Sequence, residues 1–437
     1  MSALLGQPWW LLLFAALGVL ALATAVGSLF FSLGRRPKKF SLNLAPAVHT
    51  ADFVRGIAGA VNAPLLEGGT ARLLNNGVEI FPALLEALQR AERSINFMVY
   101  IWEAGRVSDR VLQVLTERAR AGVEVRVLLD AVGALRAPRE AFEELQRAGG
   151  RVAWFNPLHV GKLTRFHKRN HRRAIVIDGR IGFTGGAAVG DKWLGDAQDE
   201  EHWRDLMVQF TGGIASNLQS AFTQLWSSVS GEMLMGPAFY PYDEHPAHPG
   251  DGEELSRHVN LISSPAAAAH PLRKVFWASF RCARAKIYVT SPYFVPDDNT
   301  REVIRYRARR GVDVRLLLPD EHTDARPVRW ASHSYYEELL KDGVRIWEYQ
   351  RTMMHAKALV VDGQWAVVGS ANMDIRSKEL NQENAVGILD RGFGAQIERT
   401  FLDDLAQARE IRLEEWRRRG LARRANERFW VLFAEQY

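Results

Sequence analysis

Short apolar runs alternate with amphipathic stretches along most of the chain. The run RSINFMVYIW (93–102) is rich in β-branched and aromatic residues, as buried strands are. A helical stretch follows it, and the next apolar run closes the segment ERARAGVEVRVLLD (117–130). Strands that alternate with helices are typical of βαβ units. The pattern therefore predicts an α/β fold with mostly parallel sheets that helices cover on both faces.

The same order of elements occurs twice. AKIYVTSPYF (285–294) and YRARRGVDVRLLLP (306–319) repeat the two runs quoted above. A hairpin pattern then closes each copy, with HRRAIVIDGRIGFTGG at 171–186 matching HAKALVVDGQWAVVGS at 355–370. A duplication of this length predicts two pseudo-symmetric halves.

The repeat divides the chain into six segments. We predict a transmembrane anchor at 1–34, a tether and lead-in segment at 35–70, a first half at 71–230, a connection at 231–258, a second half at 259–400 and a basic helical tail at 401–437. The connection is rich in Pro, Gly and His and lacks clear periodicity. The tail fits either a packed terminal helix with a solvated face or a helix on a membrane surface.

The first 34 residues carry no charged side chain. Leu11 to Leu33 is almost wholly apolar, Trp9 and Trp10 precede it, and a basic cluster begins at Arg35. About 20 apolar residues cross a bilayer as a helix, and basic clusters tend to stay in the cytoplasm. We therefore expect one membrane span with the N-terminus outside and the body of the chain in the cytoplasm. A cleaved signal peptide is the alternative, although a basic region before the apolar run is missing.

The composition is that of a globular protein with more than one domain. The chain has 437 residues, of which 47% are hydrophobic and 24% charged. Cys282 is its single cysteine, so an intrachain disulfide is excluded. The net charge of +6 favours anionic partners such as phosphates, acidic lipids or nucleic acid, without choosing among them.

Each hairpin places a histidine and a basic residue on one strand face. Residues two apart in a strand project to the same side, so His171 lies beside Arg173 and His355 beside Lys357. If the halves face each other, both histidines reach a shared cleft. One imidazole can then attack a phosphodiester while the other protonates the departing alcohol, and the cations neutralise the phosphate oxygens. Such a site needs no metal, and the sequence contains no evident carboxylate cluster suited to magnesium.

Each histidine also needs a carboxylate that orients its ring through the second nitrogen. The candidates are Asp205 in HWRDL and Glu383 in NQENA, which lie 34 and 28 residues after their histidines, each on the next predicted strand. Position in the repeat, rather than residue type alone, singles them out.

The paired hairpins resemble those of the phospholipase D superfamily, and more narrowly the bacterial cardiolipin synthases. The similarity runs from about residue 70 to the end and is carried by the hairpins together with HWRDLMVQFTG, SPYFVPD, ANMDIRS, LNQENAV and DRGFGAQI. It implies that a histidine attacks phosphatidylglycerol, expels glycerol and holds the phosphatidyl group as a phosphohistidine. A second phosphatidylglycerol then resolves the intermediate to cardiolipin.

The resemblance also implies roles for individual residues. The nucleophile in relatives is usually the histidine of the N-terminal half, here His171, although the symmetry of the sequence leaves this choice open. Asn372, Ser370 and Gly186 are expected to contact the substrate phosphate. Phosphatidylglycerol in a membrane is the expected partner, and neither a cofactor nor nucleic acid is expected.

Two positions depart from the family pattern. Arg173 stands where a lysine belongs, which keeps the charge but changes the geometry. Ala188 stands where the second half has Asn372, so one hydrogen bond to phosphate is missing.

Asp178 and Asp362, which belong to the motif, are expected to close the hairpin turn or pair with a basic residue rather than transfer protons.

Three functions are compatible with these features. The first is a membrane-anchored phosphatidyltransferase. The second is a hydrolase on the same scaffold, either a phospholipase D or a phosphodiesterase acting on nucleic acid, although no nucleic-acid-binding module is recognisable. The third is a non-catalytic membrane scaffold with a degenerate first half, suggested by Arg173 and Ala188. The sequence leaves open whether the acceptor is phosphatidylglycerol, glycerol or water.

Overall fold

Two large β-sheets with helices packed on them form the core of the computed structural model. The structure describes residues 9–11, 13–16, 18–19, 39–157, 168–241, 255–265 and 270–434. The strands are β1 Leu65–Glu67, β2 Ala71–Asn75, β3 Ser94–Val99, β4 Glu124–Asp130, β5 Arg151–Phe155, β6 Ala174–Ile177, β7 Ile181–Gly185, β8 Leu206–Thr211, β9 Arg257–Ser263, β10 Lys286–Thr290, β11 Phe294–Val295, β12 Asp313–Pro319, β13 Arg345–Tyr349, β14 Ala358–Val361, β15 Trp365–Gly369, β16 Met373–Asp374, β17 Glu383–Leu389 and β18 Ala408–Ile411. The α-helices from residue 39 onwards are α1 Ala51–Val61, α2 Asn76–Gln89, α3 Arg106–Arg120, α4 Arg139–Arg147, α5 Gly213–Ser230, α6 Pro271–Cys282, α7 Asp298–Arg309, α8 Arg326–Lys341, α9 Ile375–Glu379, α10 Arg391–Leu405, α11 Leu413–Arg417 and α12 Leu421–Val431.

The two sheets share one strand order. The first runs β2-β8-β7-β6-β3-β4-β5, and the corresponding strands of the second run β9-β17-β15-β14-β10-β12-β13. The second sheet has one further strand at each edge, β1 beside β9 and β18 beside β13. The matching order is the arrangement that the sequence repeat predicts.

The sheets are mixed, so the prediction of mostly parallel sheets is wrong. Within the two large sheets only β3-β4-β5 and β10-β12-β13 pair in parallel, and the other neighbours are antiparallel. The physical reason is the hairpin of each half, such as β6-β7, whose tight turn reverses the chain and makes antiparallel pairing the only choice. Helical crossovers, which give parallel pairs, join only the first strands of each half.

The inner faces of the two sheets meet in one apolar core. Side chains such as Val176 and Val208 from the first half pack with Val360 and Val386 from the second. Two helices lie at this interface: α5 contacts β6 and β9, and α10 contacts β14 and β2. Each helix therefore packs on both halves and joins them.

The lead-in segment packs on the second half although it precedes the first half in the sequence. Phe53, Val54 and Ile57 of α1 belong to the core of the second half, and β1 extends its sheet through β9. Thr50 caps the helix by accepting a hydrogen bond from the backbone N–H of Phe53. The tail strand β18 joins the opposite edge of the same sheet.

Two segments of the chain are apolar enough to contact a membrane, the predicted anchor and the start of the connection. No helix among the described residues is long and apolar enough to cross a bilayer, and most of the predicted anchor at 1–34 lies outside those residues. In the connection Met233 and Met235 are 73% and 74% exposed, whereas Leu234 and Phe239 are buried in the core of the first half.

Candidate active site

The two histidines line one cleft between the halves. His171 and His355 lie three residues before the hairpin strands β6 and β14, in the segments that lead into these strands and not on the strand faces that the sequence predicts. Their side chains are only 10% and 4% exposed. The cleft has a volume of about 490 Å³ and is also lined by Tyr100, Asn372 and Asp374. The sequence prediction that the halves bring both histidines together is in agreement with this geometry.

Backbone bridges between the halves set the positions of the histidines. The N–H of His171 donates to the carbonyl of Gln382 at 2.9 Å, and the N–H of His355 donates to that of Arg204 at 2.8 Å. Each contact belongs to a short parallel bridge, Asn170 with Gln382 and Arg204 with Met354. The residue that follows each carbonyl, Glu383 or Asp205, is thereby placed beside the histidine of the other half.

The histidine–carboxylate pairs are consequently crossed. Nδ1 of His171 lies 3.0 Å from Oε1 of Glu383, and Nδ1 of His355 lies 2.6 Å from Oδ2 of Asp205. Counting along the sequence assigns each carboxylate to the histidine of its own half, and this assignment is wrong. The reason is that the bridges join strand ends of different halves, so each pair requires both halves of the chain.

Both carboxylates are held by further contacts. Trp193 Nε1 donates to Oδ2 of Asp205 at 2.8 Å, and a Cβ at Gly186 would lie only 2.1 Å from Oδ1 of that carboxylate. At the position equivalent to Gly186, the hydroxyl of Ser370 donates to Oε2 of Glu383 at 2.5 Å. Gly186 and Ser370 therefore lie against the carboxylates instead of the expected phosphate position, whereas Asn372 does line the cleft.

The two basic residues of the hairpins make equivalent contacts. Arg173 Nη1 donates to the carbonyl of His171 at 2.8 Å, and Lys357 Nζ donates to that of His355 at 2.6 Å. Each cation also approaches the Nδ1 of its histidine, to 3.0 and 3.1 Å. Arg173 is fully buried, and its Nε and Nη2 atoms have no hydrogen-bond partner among the described residues. The substitution of lysine by arginine thus preserves the contact with the histidine.

Burial governs the protonation of the site. It lowers the pKa of His171 to about 4 and that of His355 to about 3, with a further contribution from the adjacent Arg173 or Lys357 cation. Burial also lowers the pKa of Lys357 to about 7. Burial alone would raise the pKa of Asp205 and of Glu383. The hydrogen bond and charge of the paired histidine, together with the nearby Lys357 or Arg173 cation, have the larger effect, so the pKa of each carboxylate is lowered. At neutral pH each imidazole is therefore neutral and faces an ionised carboxylate.

The surroundings of the two rings differ. His355 packs against the indoles of Trp193 and Trp203, at centroid distances of 5.6 and 5.1 Å, whereas His171 contacts Tyr100 at 4.9 Å. Sequence reasoning missed these aromatic residues, although Trp203 is adjacent to Arg204 in the HWRDL block. His171, which lacks such a pair of indoles, is the more exposed of the two histidines.

Asp178 and Asp362 have the structural role that the sequence predicts. The carboxylate of Asp178 accepts backbone N–H groups from Glu92, Arg93 and Ser94 at 2.7–2.9 Å. Asp362 accepts three such groups at 2.8 Å, from Arg284, Ala285 and Lys286. Each aspartate ties its hairpin turn to the start of the neighbouring strand, and neither lines the described cleft.

Other cleft residues were not predicted from the sequence. Asp374 is buried, and burial raises the pKa of its carboxyl to about 7. Tyr293 donates to Asp324 at 2.8 Å on the second-half side of the cleft. In the described part of the chain no group of three or more His, Cys, Asp or Glu side chains could hold a metal ion.

Comparison with known proteins places the chain in a family. The model of the family described as cardiolipin synthase, phospholipase D-like domain, matches residues 84–226 and 278–405. The chain belongs to this family. Cardiolipin synthase 2 of Bacillus anthracis is 34% identical over 364 residues, which cover 83% of this chain and 70% of that protein. The cardiolipin synthase of Geobacillus kaustophilus is 36% identical over 358 residues, covering 82% and 70%.

A solved structure supports the fold. The phosphatidylserine synthase of Haemophilus influenzae Rd KW20 has a TM-score of 0.69 to this chain at 15% identity, and the match covers 88% of this chain and 100% of that one. Family membership identifies the chain as a phosphatidyltransferase of the phospholipase D superfamily.

Proposed function

We propose that the enzyme transfers a phosphatidyl group from one phosphatidylglycerol to another, yielding cardiolipin and glycerol. The crossed pairs His171–Glu383 and His355–Asp205 at one cleft carry the proposal. They supply one neutral imidazole as a nucleophile and a second for proton transfer, each oriented by an ionised carboxylate. The cardiolipin synthases among the relatives support this choice of substrate and product.

In the first step Nε2 of His171 attacks phosphorus. His355 takes up a proton from solvent when the anionic substrate binds, and it gives this proton to the departing oxygen as the P–N bond forms and the P–O bond to glycerol breaks. An anionic phosphodiester in the cleft raises the pKa of His355, because opposite charge favours the protonated ring. Glu383 stabilises the positive charge that His171 acquires. The greater exposure of His171 supports its role as nucleophile.

In the second step the hydroxyl of another phosphatidylglycerol attacks the phosphohistidine. His355 takes the hydroxyl proton, the new P–O bond forms and the P–N bond breaks. Both histidines then return to their starting state. Water in place of this hydroxyl would give phosphatidic acid, so a hydrolase differs from a synthase only in the acceptor admitted to the cleft.

Membrane anchoring by residues 1–34 is part of the proposal. The apolar run and the basic residues after it support an anchor that keeps the cleft close to the lipid headgroups. The exposed Met233 and Met235 offer further apolar contact with the membrane.

A product assay with labelled phosphatidylglycerol tests the proposal. We expect cardiolipin and glycerol in equal amounts, with phosphatidic acid as a minor product. His171→Ala and His355→Ala should each lower turnover by roughly 10²-fold or more, because a nucleophile or a proton-transfer group is lost. His49→Ala, at an exposed position outside the cleft, is the control and should keep the wild-type rate. Phosphatidic acid as the main product would favour the hydrolase instead.

The covalent intermediate can be trapped separately. Phosphatidylglycerol labelled at phosphorus should leave label on the denatured enzyme, stable to base and labile to acid as a phosphoramidate is. We expect His355→Ala to retain some label and His171→Ala to retain none. The opposite pattern would assign the nucleophile to His355.

A further inference from the structure

The C-terminal helix α12 has an inverted pattern of exposure. The buried residue of this helix is the charged Glu427, which is only 1% exposed. Leu421 and Phe429 are 82% and 51% exposed, and Ala425 lies midway between them at the helical spacing of four. Leu432, one turn further, is 53% exposed. The helix therefore turns an apolar stripe away from the protein.

A buried polar network fixes this orientation. Arg419 donates to the carboxylate of Glu427 at 2.8 Å, and Arg423 pairs with the same oxygen at 3.4 Å. Nδ1 of His333 on α8 lies 3.7 Å from that oxygen, while its Nε2 is 2.9 Å from Glu348. Rotation of the helix to bury Phe429 would carry Glu427 out to solvent and leave its buried partners Arg419 and His333 without this carboxylate, which is costly.

Apolar contacts at the end of the helix connect it to the cleft. Trp430 packs on Trp330 with ring centroids 5.7 Å apart, and Ala434 is buried with Val328 and Ala331 of α8. Val328 also lines the catalytic cleft. The segment that carries the stripe therefore packs on α8, which forms part of the wall of the cleft.

The charge around the stripe is strongly basic. Residues 412–428 contain seven arginines and three glutamates, and one of those glutamates is the buried, paired Glu427. Arg428 is exposed directly beside the stripe, whereas Arg423 lies on the side of Glu427. An apolar face bordered by arginine is the pattern of helices that lie in the interface of an anionic bilayer.

We propose that α12 is a docking surface for an anionic phospholipid bilayer, which sets the catalytic cleft against the lipid surface. The stripe of Leu421, Ala425 and Phe429 enters the interfacial region while the arginines bind acidic headgroups. This contact is separate from the anchor expected at residues 1–34 and does not depend on the reaction proposed for the cleft. Its occupant is the membrane rather than a second copy of the chain, because residues 412–428 expose five arginines against two glutamates, and this positive charge would repel its counterpart in a symmetric contact.

A fluorescent label on α12 tests whether the helix contacts lipid when the full chain is reconstituted in vesicles. Phe429→Cys, labelled with an environment-sensitive dye, reports on the stripe, because the native Cys282 is buried and leaves the new thiol as the labelling site. Leu402→Cys, at a 40% exposed leucine on α10, is the matched control. In vesicles containing phosphatidylglycerol, we expect a blue shift and quenching by lipids with a spin label near the headgroup for position 429, but not for position 402.

The lipid composition and the protein concentration discriminate among explanations. In phosphatidylcholine vesicles the quenching at position 429 should weaken, because the charge attraction is lost. Equal signals at 429 and 402 in acidic vesicles would overturn the proposal. A blue shift that depends on protein concentration and not on lipid would also overturn it, since a second copy would then cover the stripe.

A kinetic test uses the double variant Leu421→Ser with Phe429→Ser. On vesicles of long-chain phosphatidylglycerol its rate should fall roughly tenfold, in line with the loss of two apolar side chains from an interface. On a short-chain, monomeric phosphatidylglycerol its rate should match that of the wild type. Equal losses on both substrates would point to a structural role and contradict the proposal. If neither enzyme forms cardiolipin, the quenching result still stands, so the two proposals fail separately.

Discussion

Asp205 and Glu383 show which features of the site can be read from residues alone. The duplicated hairpins identify both histidines, and the position of each acid after its histidine identifies both carboxylates. The sequence does not contain the crossing, because the bridges at Gln382 and Arg204 form only when the two halves meet. The supporting contacts of Ser370 with Glu383 and of Trp193 with Asp205 lie within single halves, and they were missed because they join residues outside one another's motif.

The crossed pairs predict distinct pH effects. Glu383 favours the protonated form of His171, so Glu383→Gln should lower the pKa of His171 further and move the acidic limb of the pH–rate profile to lower pH. The rate should also fall by roughly 10²-fold, because the charge on the phosphohistidine is no longer balanced. Stopped product assays from about pH 2.5 to pH 9 measure both effects, because the acidic limb of the wild type already lies near pH 4.

The complementary variant Asp205→Asn should act on His355 instead. Loss of that carboxylate lowers the pKa of His355. His355 then loses its proton at a lower pH, so the basic limb of the pH–rate profile moves to lower pH. Glu86→Gln, on the exposed surface of α2, provides a control with an unchanged profile. If Glu383→Gln moved the limb assigned to His355, the crossed pairing would not govern catalysis.

Arg173 allows a test of charge against shape. The Arg173 cation helps to lower the pKa of His171, so Arg173→Ala should raise that pKa and shift the acidic limb upwards. We expect at least a tenfold loss of rate, about 1.4 kcal/mol. Arg173→Lys should retain activity, because Lys357 already makes the equivalent contact with His355 in the second half. Equal rates for the Ala and Lys variants would show that the cation at this position is dispensable.

At the scale of elements, the repeat was predictable and the direction of pairing was not. Apolar runs reveal where strands lie, and the hairpin signals reveal where the chain turns. The buried strands of an antiparallel hairpin, such as Ala174–Ile177 and Ala358–Val361, are as continuously apolar as those of a parallel sheet. Periodicity therefore could not separate mixed sheets from parallel ones.

The aspartate of each hairpin turn gives a prediction at this scale. Asp178 has a positive φ of 54° and accepts three backbone N–H groups, so Asp178→Ala loses these bonds and adds backbone strain. We expect the free energy of unfolding to fall by roughly 2–4 kcal/mol, measured by urea denaturation. Asp178→Asn, which tolerates this φ and retains an acceptor oxygen, should lose less.

The activity of these two variants decides between structure and chemistry. Below its unfolding transition, Asp178→Asn should turn over phosphatidylglycerol at close to the wild-type rate, because Asp178 lies away from the cleft. A large loss of turnover in a variant of nearly normal stability would instead assign Asp178 a part in proton transfer.

At the scale of the whole molecule, the two halves carry different attachments. The lead-in helix α1 and the tail strand β18 both pack on the second half, while the first half bears the connection with its exposed methionines. The repeat alone cannot show this asymmetry, because the attachments lie outside it. Elements that precede and follow the two halves in the sequence therefore converge on the second half.

Membrane topology is the last consequence of this arrangement, and it decides which leaflet supplies the substrate. The uncharged run to Gly34 and the basic residues after it predict one span with the catalytic body in the cytoplasm. Met235→Cys is a suitable reporter because this residue is 74% exposed in the connection. The wild-type chain is the control, since Cys282 is buried and burial raises the pKa of its thiol to about 11, which keeps it unreactive. In intact cells the reporter should resist a membrane-impermeant maleimide, and it should react once the membrane is permeabilised. Labelling before permeabilisation would place the body outside the cytoplasm and favour the cleaved signal peptide and a secreted hydrolase.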